Sequence, residues 1–99
     1  MWGPEIEGRI FKKSEVLGDW ELRFVKINRL GLRSSKALNS AVSLEILGTK
    51  EIWTRFEEIK GGNFLVVKLW YGIIKEEFAV PVKNCLSWLY HFLHLLRPN

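Results

Sequence analysis

The stretch GRIFKKSEVLGDWELRFVKI, residues 8–27, contains two runs in which apolar and polar residues alternate, separated by a short loop. Alternation with a period of two is typical of half-buried strands, because successive side chains of a strand point to opposite faces. Gly18-Asp19 favours a turn between the two runs. The stretch therefore predicts an antiparallel hairpin with Val16 and Leu17 near its exposed tip.

Strand-like runs continue through the first four-fifths of the chain. Turn signals separate them, and Lys60-Gly61-Gly62-Asn63 is the strongest of these. The further runs are residues 30–35, 42–47, 52–56, 64–71 and 75–82. About seven short antiparallel strands favour a small barrel or sandwich.

The last segment changes its period and predicts a helix. Asn84 is a suitable N-cap, the residues CLSWLYHFLHLL follow it, and Pro98 would end the helix. An amphipathic helix laid across the open end of a curled sheet can complete a core. We therefore expect a single domain over residues 1–99, with strands from about 5 to 82 and a helix from about 84 to 96.

Composition limits the class of protein. The chain of 99 residues has 47% hydrophobic residues and can bury one core without metal or disulfides. The single cysteine, Cys85, lies in an apolar run and indicates a reduced thiol in a cytoplasmic protein. Neither a membrane span nor a signal peptide is evident, so any membrane association is expected to be peripheral.

Basic residues are concentrated in the first third of the chain. The net charge is +4, yet the segment from Arg9 to Lys36 alone contains eight basic and three acidic residues. The remainder of the chain is close to neutral. A basic patch, if formed, should lie on the first three strands.

The order of these features resembles the pleckstrin homology domain family over nearly the whole chain. The residues that carry the resemblance are Gly8-Arg9-Ile10-Phe11-Lys12, the run Trp20–Ile27, and Trp88 in the predicted helix. The resemblance implies a mainly β fold with one C-terminal α-helix. That fold is a seven-stranded, bent antiparallel barrel with one end capped by the helix.

The resemblance also implies a lipid site at the open end of the barrel. Family members that bind phosphoinositides use a lysine at the end of the first strand and basic residues in the second, which Lys12 and Arg23 match. Supporting charge would come from Lys13, Arg33 and Lys36. Several phosphates need several donors, and guanidinium offers a bidentate fork. From composition alone, the same residues could be scattered solvated charges.

Two positions depart from the family pattern. Glu21 stands where strong binders are usually basic, and Ser34 stands about where a head-group-contacting tyrosine often lies. Both departures favour a weaker electrostatic attachment, worth about 1 kcal/mol per basic residue near an anionic surface. Val16 and Leu17 could insert into the acyl boundary of the membrane beside this electrostatic attachment. Alternatively, they could fold back onto Trp20 or remain exposed in water.

The predicted helix is apolar around most of its circumference. One side collects the residues expected to be buried, which are Cys85, Trp88, Leu89, Phe92, Leu95 and Leu96. Leu86, Tyr90 and Leu93 widen the apolar arc beyond one packed face. Either the helix is deeply seated or covered by the segment around Trp2, or these three residues contact a second copy, a neighbouring domain or a helical partner.

Other functions have weaker support. Trp53, Trp70 and Tyr71 could stack on nucleic acid, but they are expected to pack in the core or at hairpin ends instead. His91 and His94 share a helix face without further ligands, so we expect no metal site and assign both to a polar stripe with Ser87.

No nucleophile motif or glycine-rich phosphate loop is present, so we expect no enzyme activity and no cofactor. The sequence therefore predicts an adaptor domain that binds anionic lipid. A protein-binding scaffold that uses the helix face is the alternative.

Overall fold

The structure, a computed structural model, describes residues 3–97, so Trp2 and Pro98 lie outside the described residues. Within them the chain forms seven strands, a short 3-10 turn and one α-helix. The elements are β1 (Ile6–Lys13), β2 (Trp20–Asn28), β3 (Gly31–Ser35), β4 (Val42–Ile46), β5 (Glu51–Ile59), β6 (Gly62–Tyr71), β7 (Ile74–Pro81), the turn Val82–Asn84 and α1 (Cys85–Leu93). The predicted fold class is confirmed.

The strands form one antiparallel sheet with the order β4-β3-β2-β1-β7-β6-β5. Two meanders, β1–β4 and β5–β7, are joined by the pairing of β1 with β7. That ladder contains only two residue pairs, Phe11 with Ala79 and Lys12 with Phe78. The sheet is not closed, and β4 and β5 lie at its edges.

The main core lies between the two meanders and α1. Alternate residues of each central strand point into it, as the period-two pattern predicts. The buried residues are Ile10, Val25, Ile27, Leu32, Ile46, Leu65, Val67, Leu69, Phe78, Val80, Cys85, Trp88, Phe92 and Leu95. A smaller cluster on the outer face contains Ile59, Val66 and Ala79, which Phe11, Trp20 and Phe64 cover.

The helix is shorter than predicted. Asn84 occupies the N-cap position but its side chain makes no capping hydrogen bond. The predicted end at residue 96 is wrong, because the chain after Leu93 pairs with Thr49 instead of continuing the helix: the Thr49 N–H donates to the Leu95 carbonyl at 2.7 Å. Leu95 remains buried, whereas Leu96, which was expected on the buried side, is exposed.

Gly31 begins β3 in a conformation that side chains rarely adopt. Its φ is +137°, and a Cβ atom built on it would lie 2.5 Å from the Ile46 carbonyl oxygen on β4. The missing side chain therefore lets the turn between β2 and β3 approach β4 closely.

We expect Gly31→Ala to lower the free energy of unfolding by an amount on the order of 1–3 kcal/mol, because it adds both backbone strain and a clash. Gly61→Ala is the matched control: φ is +81° there, but the new Cβ atom would meet nothing within 4 Å. Urea unfolding of the two variants measures the difference. Equal losses of stability would contradict the role assigned to the contact with Ile46.

Candidate functional site

Three loops lie at one end of the sheet. The β1–β2 loop follows Lys13, the β3–β4 loop covers residues 36–41, and the β6–β7 turn follows Tyr71. The register places them together, because β1 pairs antiparallel with both β2 and β7, and β3 runs antiparallel to β2. We call this end of the sheet the loop end.

The β1–β2 loop presents Val16 and Leu17 to solvent. The Gly18 N–H donates to the Ser14 carbonyl at 2.9 Å and the Ser14 N–H donates to the Asp19 carbonyl at 2.7 Å, which closes the loop tightly. Val16 is 91% exposed and Leu17 is 76% exposed. The interpretation that they fold back onto Trp20 is therefore wrong.

A second apolar tip, which the sequence analysis missed, lies at the same end. Ile73 follows Gly72 in the β6–β7 turn and is 99% exposed, and the neighbouring Ile74 is also exposed. Leu38 in the β3–β4 loop is exposed as well. The signal in the sequence was an aliphatic pair directly after a turn glycine.

Lys12 and Arg23 point to the core face of the β1–β2 hairpin near the loop end, since they alternate in step with Ile10 and Val25. Each is paired with a carboxylate. Lys12 Nζ lies 2.9 Å from Glu76 Oε2, and the two side chains are 13% and 8% exposed. Arg23 Nη2 lies 2.9 Å from Glu21 Oε2. A phosphate at either cation would compete with that carboxylate.

The predicted supporting cations do not join Lys12 and Arg23 in one cluster. Lys13 and Arg33 alternate onto the opposite, outer face of the sheet. Lys13 Nζ is 3.8 Å from a Glu77 oxygen and 5.7 Å from the centre of the Trp20 ring, and Arg33 pairs with Glu45 at 2.9 Å. Lys36 is exposed in the β3–β4 loop.

A cavity of about 340 Å³ lies between the β1–β2 loop and the start of β7. Its charged lining comprises two lysines and three glutamates: Lys13, Lys75, Glu15, Glu76 and Glu77. Nearby, burial and then the carboxylates of Glu76 and Glu15 raise the pKa of Tyr71. The lining is therefore mixed in charge and offers an anion no strongly positive pocket.

Ser34 lies in β3 and is buried. Its side chain points to the core face, opposite Val25 and Leu44. A buried hydroxyl at this position cannot reach a head group at the surface.

The helix face predicted to bind a partner is partly open. Leu86 is 67% exposed, Leu93 is exposed, and Tyr90 is half-buried. His91, which was assigned to the polar stripe, is buried: Nδ1 lies 2.8 Å from the Ser87 carbonyl oxygen and Nε2 lies 2.9 Å from that of Gly3. The segment at Gly3 thus covers this side of the helix.

The aromatic residues considered for stacking behave differently from one another. Trp70 and Tyr71 are half-buried, and the Lys68 and Lys75 ammonium groups lie 5.3 and 5.6 Å from the centre of the Trp70 ring. Trp53 is exposed on β5, so its expected place in the core or at a hairpin end is wrong. It lies on an edge strand, which within residues 3–97 pairs with β6 on one side only.

Residues 3–97 contain no group of three or more His, Cys, Asp or Glu side chains that could hold a metal ion. In the same part of the chain no helix is long and apolar enough to cross a membrane. Searches of family models, curated proteins and solved structures find no match for this chain.

We expect Lys12→Ala to lower the free energy of unfolding by an amount on the order of 3 kcal/mol, because it leaves the Glu76 carboxylate without its partner in a mostly buried position. Arg33→Ala is the control. It breaks the exposed pair with Glu45 and should cost less than about 1 kcal/mol. Chemical unfolding measures both, and equal costs would contradict the structural role of the Lys12–Glu76 pair.

Proposed function

We propose that this domain docks peripherally on an anionic membrane with its loop end, without catalysing a reaction, and so serves as an adaptor. The observation that supports this most strongly is the exposure of aliphatic side chains at two separate tips of the same end, Val16-Leu17 and Ile73. Grouped exposed apolar residues mark surfaces that contact another apolar phase. A cytoplasmic membrane face offers such a phase beneath its head groups.

The spacing of apolar tips and lysines suits a membrane interface. Lys13 ends β1 directly before the first tip, Lys75 follows the second tip, and Lys36 lies in the third loop. Lysine ammonium groups would meet lipid phosphates while the aliphatic tips enter the acyl boundary by a few ångströms. Each basic residue near an anionic membrane surface contributes about 1 kcal/mol to binding. This electrostatic attraction adds to the free energy gained by inserting the aliphatic tips.

Phosphoinositide is the anionic lipid that we propose for a specific component of the binding. Lys12 and Arg23 each contact one carboxylate, and Arg23 also donates to the Ser43 hydroxyl at 3.1 Å. A head group with several phosphates carries enough charge to compete with Glu76 and Glu21. A lipid with one negative charge would compete poorly. The resemblance to pleckstrin homology domains supports the same choice and remains a prediction.

A second candidate function is protein binding through the helix face. Leu86 and Leu93 are exposed on α1, and an apolar contact there would need no lipid. Ionic strength separates the two candidates, because salt screens electrostatic docking and leaves apolar contacts largely unchanged. Nucleic acid remains disfavoured by the mixed charge around the exposed aromatic residues.

We expect the double variant Val16→Ser with Leu17→Ser to bind vesicles containing anionic lipid at least about tenfold more weakly, because it removes two inserting side chains worth roughly 1.5–3 kcal/mol each when fully buried. Leu86→Ser is the matched control on the helix and should bind like the original chain. Co-sedimentation with vesicles measures both. Unchanged binding of the tip variant, or a loss with Leu86→Ser, would contradict docking through the loop end.

We expect Glu76→Gln, once circular dichroism shows that the variant is folded, to strengthen binding to phosphoinositide vesicles more than binding to phosphatidylserine vesicles, because it removes the carboxylate that competes for Lys12. The long lysine side chain can then extend toward the head group. Glu58→Gln makes the same change in net charge near the β5–β6 turn, away from the loop end, and serves as control. If both variants bound both kinds of vesicle more tightly by the same factor, the gain would come from nonspecific electrostatic attraction. That result would contradict the head-group site.

A further inference from the structure

The edge strand β5 is unusually open to pairing. It contains nine residues in continuous register with β6, and β6 is the only strand that pairs with it within residues 3–97. Natural proteins usually blunt such edges with charged side chains, above all lysine, or with proline, a bulge or a very short strand. The other edge, β4, has five residues and an irregular register next to it. β5 is long and regular and contains neither lysine nor proline, and its charges are one arginine and three glutamates.

The hairpin geometry shows which backbone groups of β5 face outward. Lys60 and Gly61 form a two-residue turn with φ of +51° and +81°, so Ile59 and Gly62 are the closing pair that exchanges hydrogen bonds. Hydrogen-bonded and non-bonded positions alternate from there along the ladder. The N–H and C=O groups of Thr54, Phe56 and Glu58 are therefore directed away from β6.

Two of the exposed side chains on this edge are aromatic. Phe56 is 72% exposed although it lies opposite the buried Leu65, on the face that elsewhere forms the core. Trp53 is 58% exposed on the outer face. An open row of backbone groups beside two exposed aromatic side chains is a template for another strand.

We propose that β5 pairs antiparallel with β5 of a second copy of this chain, with Phe56 at the twofold axis. In this register the two Phe56 residues are directly opposite, and the outward groups of Thr54 meet those of Glu58. Trp53 faces Ile59 of the second copy. Aromatic pairs directly across an antiparallel ladder stabilise it.

Charge complementarity selects this register. Phe56 at the axis places Arg55 opposite Glu57 of the second copy, twice, on the outer face. Shifting the axis by one residue would place Arg55 against Arg55, or Glu57 against Glu57, and like charges directly opposite are destabilising. Within one chain Arg55 already contacts Glu57 and Glu77 at 2.9 Å, so the dimer would extend an existing ion-pair network.

Burial lowers the pKa of Arg55, but hydrogen bonds to Glu77 and Glu57 raise it overall, which keeps the guanidinium charged.

This surface differs from the one that the sequence suggested for self-association. The helix face of Leu86, Tyr90 and Leu93 offers exposed apolar atoms, but nothing on it specifies a partner. The β5 edge offers hydrogen-bonding groups, an aromatic residue at the axis and two complementary ion pairs. It is also independent of the loop end, so lipid docking and dimer formation are separate properties.

Disulfide trapping tests the register. In Phe56→Cys the two opposed Cα atoms should lie about 5.5 Å apart, within disulfide range, so mild oxidation should give a covalent dimer. Glu58→Cys also places a thiol at an exposed position of the same strand, but its two copies would lie roughly 14 Å apart and should not cross-link. Cys85 is buried and should not react. Equal cross-linking of both variants, or none of Phe56→Cys, would overturn the register.

Association without cross-links tests the surface. Sedimentation of the original chain should show a mass that rises toward twice the monomer with concentration. Phe56→Lys should abolish this rise, whereas Leu86→Lys should leave it unchanged. Both residues are exposed, so neither change should unfold the domain, which circular dichroism checks. A monomer at all concentrations would overturn the proposal, and so would a dimer lost only with Leu86→Lys.

Amide hydrogen exchange adds an alternating signature. The amides of Thr54, Phe56 and Glu58 should become protected as the concentration rises. Those of Trp53, Arg55 and Glu57 should change little, because they already donate toward β6. Uniform behaviour of the two sets would overturn the proposed strand pairing.

Discussion

The short ladder between β1 and β7 determines how the rest of this molecule is arranged. Two residue pairs, Phe11 with Ala79 and Lys12 with Phe78, join two meanders that are each held by long ladders. Because β1 runs antiparallel to both β2 and β7, the β1–β2 loop and the β6–β7 turn must lie at the same end. The same junction brings Lys12 to Glu76, which is distant in sequence.

Several basic residues of the first three strands form ion pairs with carboxylates. The basic excess of the first three strands is real in sequence, yet β1, β2 and β3 each meet carboxylates that later strands or near neighbours supply. Lys12 meets Glu76, Lys13 lies near Glu77, and Arg33 meets Glu45. Opposite charges in contact lower the field that a distant anion experiences. The proposed membrane docking therefore depends more on the apolar tips than on the cations.

The open sheet also leaves its two edges with different character. β4 is short and lies beside an irregular register, whereas β5 is long, regular and aromatic. Packing of the core does not determine this difference, because each edge strand contributes only some of its residues to the core. Two surfaces with separate chemistry result, one aliphatic with lysines at the loop end and one aromatic with backbone hydrogen-bonding groups along β5.

The sequence by itself determined the local elements. Period-two alternation and turn residues located the seven strands, Asn84 located the start of the helix, and Val16-Leu17 was expected at an exposed tip. These features depend on residues that are adjacent in the chain, so their pattern can be recognised in the sequence. The resemblance to a known family further predicted the order of strands followed by a helix.

Tertiary structure decided the features that depend on distant partners. The helix ends at Leu93 because Thr49 pairs with the residues after it, and His91 is buried because Gly3 covers it. Trp53 is exposed on β5, which lies at the edge of the sheet formed by residues 3–97. The carboxylates that lie beside Lys12 and Lys13 belong to residues of β7, more than 60 residues away in the sequence. The sequence determines which charged and apolar side chains each strand carries. Only the fold decides which of these side chains come into contact, because the contacts join strands that are far apart in the sequence.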